Sequence, residues 1–138
     1  MLLDTNIVSE VMRSAPSPTV LAWLNDQDAS ALFVSTVTIA EIEYGLRMLP
    51  DGRRRRGLRN RFEQFLVRAF AGRIRDFDQP AARSYGDIMG NRKEIGRPMS
   101  VPDGQIAAIA CSRGLTVATR NVADFEDCGL TLVNPFER

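Results

Sequence analysis

The chain has 138 residues, 44% apolar and 25% charged, with a formal net charge of +1, the proportions of one ordinary soluble domain long enough to bury a core. It contains no histidine, which excludes imidazole general bases, Ser-His-Asp and Cys-His nucleophile pairs and His-ligated zinc; hydrolytic chemistry must then rest on carboxylates and hard cations. The near-zero charge is a cancellation, because nine arginines against Asp51 and Glu63 give residues 51–75 a charge of +7 while the rest of the chain sums to −6.

The first strand is expected at Leu2–Leu3, followed at once by Asp4 and a helix over "TNIVSEVM". Asp4 is there either as an N-cap, a role aspartate fills well, or as an acid of a site at the strand end. A second helix, "SPTVLAWLNDQ", groups Val20, Leu21, Trp23 and Leu24. "ALFVS" (Ala31–Ser35) reads as the second strand, and "TVTIAEIEYGLRML" as a helix with Ile39, Ile42, Leu46 and Leu49 on one stripe. Thr38-x-x-Glu41 matches a capping box, a structural role for Glu41 to set against a chemical one. Glu10 and Glu43 are expected to be solvated helix positions.

A long arginine helix follows over residues 53–71, with Leu58, Phe62, Phe65, Leu66 and Ala69 as its apolar face. The spacing of Phe62, Phe65 and Phe70 says core, not base-stacking platforms. The third strand is expected at Ile74–Phe77, then two helices, "QPAARSYGDIMGNRKEIG" and "VPDGQIAAIACSRG", the latter closed by Gly114 as a C-cap. Asp103 falls in the first turn of that last helix, where the macrodipole favours a carboxylate whatever else it does. Strands four and five are expected at Leu115–Thr119 and Leu130–Val133, with Asn121 and Asp124 just after strand four, where Asp124 could equally stabilise a turn.

Short strands, apolar on both sides and alternating with helices, describe a single α/β domain over residues 1–138: a central, mostly parallel five-stranded sheet flanked by helices on both faces. No apolar run approaches the ~20 residues of a membrane span. The acid at position 4 leaves no basic leader region, so a cytoplasmic protein is expected. Cys111 and Cys128 show neither CxxC nor zinc spacing and are expected to be buried or idle thiols.

In open sheets of this kind ligands bind beyond the carboxyl ends of the strands. Asp4, Glu41, Asn121 and Asp124 map to that edge; Asp103 opens the helix before strand four and needs the fold to bring it there. Carboxylates crowded together repel unless protonated or bound to cations. Oxygen-only ligands suit Mg²⁺ or Mn²⁺, and such a site can clamp a phosphodiester and acidify a water for in-line attack. The chemistry points to phosphoryl hydrolysis. A receiver-like domain needs a lysine near the last strand's end, and the sole lysine, Lys93, precedes strand four. A haloacid-type phosphatase needs a DxD after strand one, where Asn6 takes the second acid's place.

At "LLDTNIVSE", "VSTVTIAEIEYGL", "VPDGQIAAIA" and "TVATRNVADF" the chain resembles a PIN-domain ribonuclease of the toxin kind in bacterial toxin–antitoxin pairs, the VapC/FitB-like branch. The pieces occur in that family's order and spacing, and the resemblance covers essentially the whole chain. It implies that Asp4, Glu41 and Asp103 gather around Mg²⁺ or Mn²⁺, with Thr5, Asn6, Ser35 and Thr119 lining them. Many relatives carry an aspartate directly after "TR", where this chain has Asn121, so Asp124 is the candidate fourth acid and Asn121 a neutral hydrogen-bonding group. The resemblance also places Arg53, Arg54, Arg55 and Arg56 beside the acidic groove as a track for RNA phosphates, against the plainer role of a solvated helix face. It implies a cognate antitoxin whose helix fills a groove, a homodimer, and operator DNA bound only through the antitoxin. The competing expectation is a catalytically weak binding module of the same fold, working in an antitoxin complex on operator DNA.

Overall fold

Five strands and seven α-helices alternate along residues 1–137, the part of the chain that the computed structural model describes. In order they are β1 (Leu2–Leu3), α1 (Thr5–Met12), α2 (Pro18–Asn25), a 3₁₀ turn (Ala29–Ala31), β2 (Phe33–Ser35), α3 (Thr36–Met48), α4 (Arg53–Phe70), β3 (Ile74–Arg75), α5 (Gln79–Glu94), α6 (Val101–Arg113), β4 (Val117–Ala118), α7 (Val122–Phe125) and β5 (Leu132–Val133). The sheet runs β3-β2-β1-β4-β5, and every pairing is parallel. The chain winds from β1 out to β3 on one side and then crosses to β4 and β5 on the other. The strand order therefore reverses at β1, which makes its carboxyl end the switch point of the sheet.

Alternation along the strands builds two cores. Leu3 and Ala118 face one side, with Ile7, Val8, Trp23, Val34, Phe62 and Phe70; Leu2 and Val117 face the other, with Ile88, Ile106, Ile109 and Phe125. Phe62 and Phe70 are buried and Phe65 packs edge-on to Phe70 with centroids 5.0 Å apart, so the arginine helix does spend its aromatic face on the core. Each fully buried phenylalanine contributes about 2–3 kcal/mol by area.

Four of the strands are shorter than the apolar runs that announce them, β2 because the 3₁₀ turn takes Ala31, and helices start at once after β1 and β2. Asp4 directly follows β1 and is the N-cap of α1; Ser35 ends β2 and is the N-cap of α3. Caps carry polar side chains by necessity. Junctions with no loop thus force polar residues onto the edge of an otherwise apolar sheet. The expected helix 53–71 ends at Phe70, and the segment after β4 contains the short helix α7 instead of a bare turn.

Helix α6 carries Asp103 to the same edge. Gly114 closes the helix in the left-handed conformation at φ 66°, and the chain returns directly into β4. A helix feeding a parallel strand this way runs antiparallel to it, so its N-terminus lies where the strands end. Gly104, beside Asp103, lets α6 press against α5: a Cβ there would sit 2.4 Å from Met89 Sδ and 3.1 Å from Tyr85 Cε2. No helix among the described residues is long and apolar enough to cross a membrane.

Candidate active site

Asp4, Glu41 and Asp103, far apart in the chain, line one cavity of about 500 Å³, with Thr5, Asn6 and Asn121 between them. Asp4 is only 4% exposed. Its Oδ1 accepts the N–H of Thr5 at 2.8 Å, and its Oδ2 accepts the hydroxyl of Thr119 at 2.8 Å. Its own N–H is tied to the carbonyl of Ala118. Capping and site-forming are therefore not alternatives here. One oxygen caps α1 while the carboxylate as a whole faces the cavity.

Glu41 does not close a capping box. The N-cap of α3 is Ser35, whose Oγ accepts the N–H of Thr38 at 3.0 Å, so the capping motif begins three residues earlier than Thr38-x-x-Glu41 implies. Glu41 lies in the second turn, and its Oε1 accepts the hydroxyl of Thr5 at 2.6 Å. Behind it runs a hydroxyl chain: Thr5 Oγ1 meets Thr38 Oγ1 at 3.1 Å, and Ser35 donates to Thr38 Oγ1 at 3.4 Å. Because Thr5 spends its proton on Glu41, Thr38 donates to Thr5, and every hydroxyl proton in the chain points toward the acid. Ser35 is fully buried beneath this chain and supports the site instead of lining it.

Electrostatics show how confined the acids are. Burial, chiefly, pushes the Asp4 carboxyl up to about 6, with Asp103 and Glu41 adding to it and the hydrogen bonds from Thr119 and Thr5 opposing. Asp103, half-buried in the first turn of α6 after the N-cap Ser100, is also raised above the ordinary carboxylate value. Burial is again the main cause, Asp124 and Glu41 contribute, and the Ser100 hydroxyl and Arg92 pull the other way.

Asp124 is exposed on α7 and does not line the cavity; it reaches the site through its field on Asp103. Asn121 does line the cavity, and its N–H donates to Thr119 Oγ1 at 3.0 Å. Asn6 braces the same corner, accepting the N–H of Arg120 at 3.2 Å and reaching Thr119 with its amide nitrogen at 3.5 Å.

Other positions lie at this edge without having announced themselves in the sequence. Glu10, expected to be solvated, is 6% exposed; it accepts Nη1 of Arg13 at 3.1 and 3.2 Å and the N–H of Ser17 at 2.9 Å. Glu43 is only partly exposed and pairs with Arg59 at 2.8 Å. Arg13, Arg120 and Phe136 rim the acidic cavity, and the Arg120 guanidinium lies 4.5 Å from the Phe136 ring centroid. Arg92, 4% exposed, donates to the carbonyls of Arg97, Asp124 and Glu126 at 2.6, 3.0 and 2.7 Å. It thereby fixes the segment that carries Asp124. Cys128 is buried and Cys111 exposed, both unpaired.

The basic block divides. Arg59 is paired with Glu43, Arg61 and Arg73 donate to backbone carbonyls, and Arg75 stacks on Phe33 at 4.3 Å. Of the expected RNA-binding quartet, Arg53, Arg55 and Arg56 line none of the cavities beside the acids. Arg54 lines a second cavity of about 280 Å³ that shares Thr5, Ser9, Arg13 and Glu41 with the first.

Oxygen acids at the switch point of a short five-stranded parallel sheet define the PIN class of fold and site, and the sequence agrees. The PIN domain family model matches residues 1–128, and the chain belongs to that family. VapC ribonuclease Y4jK of Sinorhizobium fredii is 42% identical over 137 residues, covering 99% of this chain and 98% of that protein. Toxin FitB of Neisseria gonorrhoeae is 38% identical over 136 residues, covering 99% and 98%. The crystal structure of FitAcB from Neisseria gonorrhoeae superimposes with a TM-score of 0.91 at 38% identity, over 99% of each chain. A structure of FitAB bound to an IR36 DNA fragment matches equally well, with a TM-score of 0.91 at 37% identity over 99% of this chain and 96% of that one.

Proposed function

We propose that this chain is the ribonuclease toxin of a toxin–antitoxin pair, hydrolysing RNA phosphodiesters with Mg²⁺ or Mn²⁺ held by Asp4, Glu41 and Asp103. The carrying observation is a buried aspartate driven up to about 6 by its surroundings, including two other acids of the same cavity. A fold retains such a group against its own stability where the charge has work to do. The relatives named VapC ribonuclease and toxin FitB support the activity, at 42% and 38% identity.

The donor set suits a hydrated hard cation. It is all oxygen, and among the described residues no three of His, Cys, Asp and Glu are gathered into a ready cage. Mg²⁺ fits that arrangement, since it commonly keeps several waters and takes only one or two carboxylates directly. When bound, the ion supplies positive charge to the phosphodiester and acidity to water. The chain's own part is to aim the carboxylates. Thr5 and Thr119 hold Asp4 from both oxygens, the Thr5 hydroxyl fixes Glu41, and α6 presents Asp103. Asp124 adds charge at the rim, through water in this proposal, with Asn121 as a neutral donor.

The same reading pairs the chain with a cognate antitoxin, as a homodimer or larger assembly, with operator DNA reached only through the antitoxin. The FitAB complex on its DNA fragment supports this, as does the DNA-bound VapBC of Salmonella typhimurium, which superimposes at a TM-score of 0.82 with 28% identity. A second reading is a catalytically weak module in such a complex. It draws on the lack of a preformed cage and on Asn121 in an acid's place.

One experiment separates them. The purified chain is incubated with single-stranded RNA, then with EDTA, then with Mg²⁺ restored. Cleavage that stops and returns, and that Asp103→Ala abolishes, supports the nuclease. Binding with no cleavage across Mg²⁺ and Mn²⁺ would leave the module. Full activity in Asp103→Ala would remove the site.

A further inference from the structure

The acidic cavity adjoins a groove between α1, α3 and α4, sharing Thr5, Ser9, Arg13 and Glu41 with it; Leu46, Leu49 and Leu58 give that groove an apolar lining. Arg13 lines both spaces and Arg54 lines the groove. Four arginines of the basic block are engaged within the protein instead: Arg59 on Glu43, Arg61 and Arg73 on carbonyls, and Arg75 on Phe33. Arg13 is pinned from below: buried Glu10 takes its Nη1 donors at 3.1 and 3.2 Å, while its side chain stays 65% exposed. A guanidinium has five N–H donors, and among the described residues the Nε and Nη2 donors of Arg13 meet no protein acceptor. A side chain held in place by one edge, with the other edge presented to a groove, loses little freedom on binding. An arginine fork matches a phosphate oxygen pair.

We propose that Arg13 and Arg54 form a phosphate track leading out of the acidic cavity along the α1–α3–α4 groove, so that the RNA strand lies along it while its scissile phosphate faces Asp4 and Asp103. This rests on the ribonuclease reading and deepens it. The leucine lining gives ribose and base edges an apolar surface between the two cations. Within the basic block the track gives Arg54, which lines the groove, a role that Arg59 and Arg61 of the same helix, engaged with Glu43 and with the Met12 carbonyl, do not share. Glu10 becomes a positioning residue, acting on RNA only through Arg13.

The test reads salt dependence, which a merely structural role does not move. Anisotropy of a labelled single-stranded RNA oligonucleotide is followed over a KCl series in EDTA, where cleavage is silent. Each lost phosphate contact lowers the slope of log K against log[KCl] by about 0.7, or about fivefold in affinity at 0.1 M salt. Arg13→Gln and Arg54→Gln should each show that decrement and the double variant about twice it. Arg13→Lys, which keeps the charge, should retain the slope. Arg83→Gln, on an exposed position of α5, should match the wild type. If Arg13→Gln fails to fold because Glu10 is stranded, Arg54→Gln alone must still lose about 0.7.

A folded double variant with an unchanged slope, while the wild type cleaves RNA, overturns the track and leaves the nuclease standing. An unchanged slope together with lost binding of the cognate antitoxin overturns it in favour of a protein occupant of the groove. A wild type that neither binds nor cleaves RNA removes both proposals.

Discussion

Replacing Asp4 with asparagine should stabilise the metal-free protein at neutral pH while abolishing cleavage. Folding carries the Asp4 carboxyl from its ordinary 3.8 to about 6, mainly through burial. At about 1.4 kcal/mol per unit, keeping it ionised costs the folded state roughly 3 kcal/mol at pH 7.5. Asparagine removes that cost. Its Oδ1 still accepts from Thr5, but its amide nitrogen faces Thr119 Oγ1, which already accepts from Asn121. One compromised hydrogen bond takes back about 1 kcal/mol, leaving a net gain of about 2 kcal/mol, or ~6–10 °C in melting temperature for a domain of this size.

The sign follows from linkage. A carboxyl whose folded pKa is raised makes the wild type gain stability as pH falls from above about 6 to below 3.8. The advantage of Asp4→Asn must therefore shrink on acidification and reverse near pH 4, where only the damaged hydrogen bond remains. Thermal melts in EDTA at pH 7.5 and pH 4 measure both ends. Saturating Mg²⁺ should also narrow the gap by stabilising only the wild type. A variant no more stable than wild type at pH 7.5, or a gap indifferent to pH, would refute the claim that Asp4 is held ionised against its environment.

Glu41→Gln keeps an acceptor for the Thr5 hydroxyl, so stability should stay within about 0.5 kcal/mol in urea melts while cleavage falls at least a hundredfold; matching losses of both would return Glu41 to a structural role. Arg92→Met strips the donors from three carbonyls and frees the segment bearing Asp124, and should cost about 2–4 kcal/mol in chemical denaturation; a loss under 1 kcal/mol would mean that water replaces the guanidinium at no penalty.

Much of this was legible in the chain itself. Apolar runs with no alternation read as buried parallel strands, and Leu2–Leu3, Val117–Ala118 and Leu132–Val133 lie within the expected segments, because a strand covered on both faces must be apolar on both. Strand limits were less legible: β2 ends at Ser35 as expected but starts at Phe33, because Ala31 is drawn into a 3₁₀ turn. The Thr38–Glu41 motif misled because local spacing matches a capping box wherever it occurs, but the helix had already been capped by Ser35. Glu10 was misplaced because burial of a charged residue depends on Arg13 and Ser17 reaching it, a matter of packing and not of pattern.

The absence of histidine and the placement of oxygen acids after strands were fixed by sequence, and they restrict the chemistry to carboxylates whatever the fold does. Which acids meet was decided only in three dimensions. Asp103 has no strand before it, and it joins Asp4 because α6 runs back along the sheet, packed against α5 at Gly104. Arg13, Arg120 and Phe136 reach the rim by the same tertiary accident of topology, and within the nine-arginine block Arg59, Arg61, Arg73 and Arg75 are told apart from Arg54 only by the contacts each makes once α4 is laid against α3 and α1. Local interactions choose the elements; a site is a relation between elements, set by how they pack and by the hydrogen bonds that cross from one to the next.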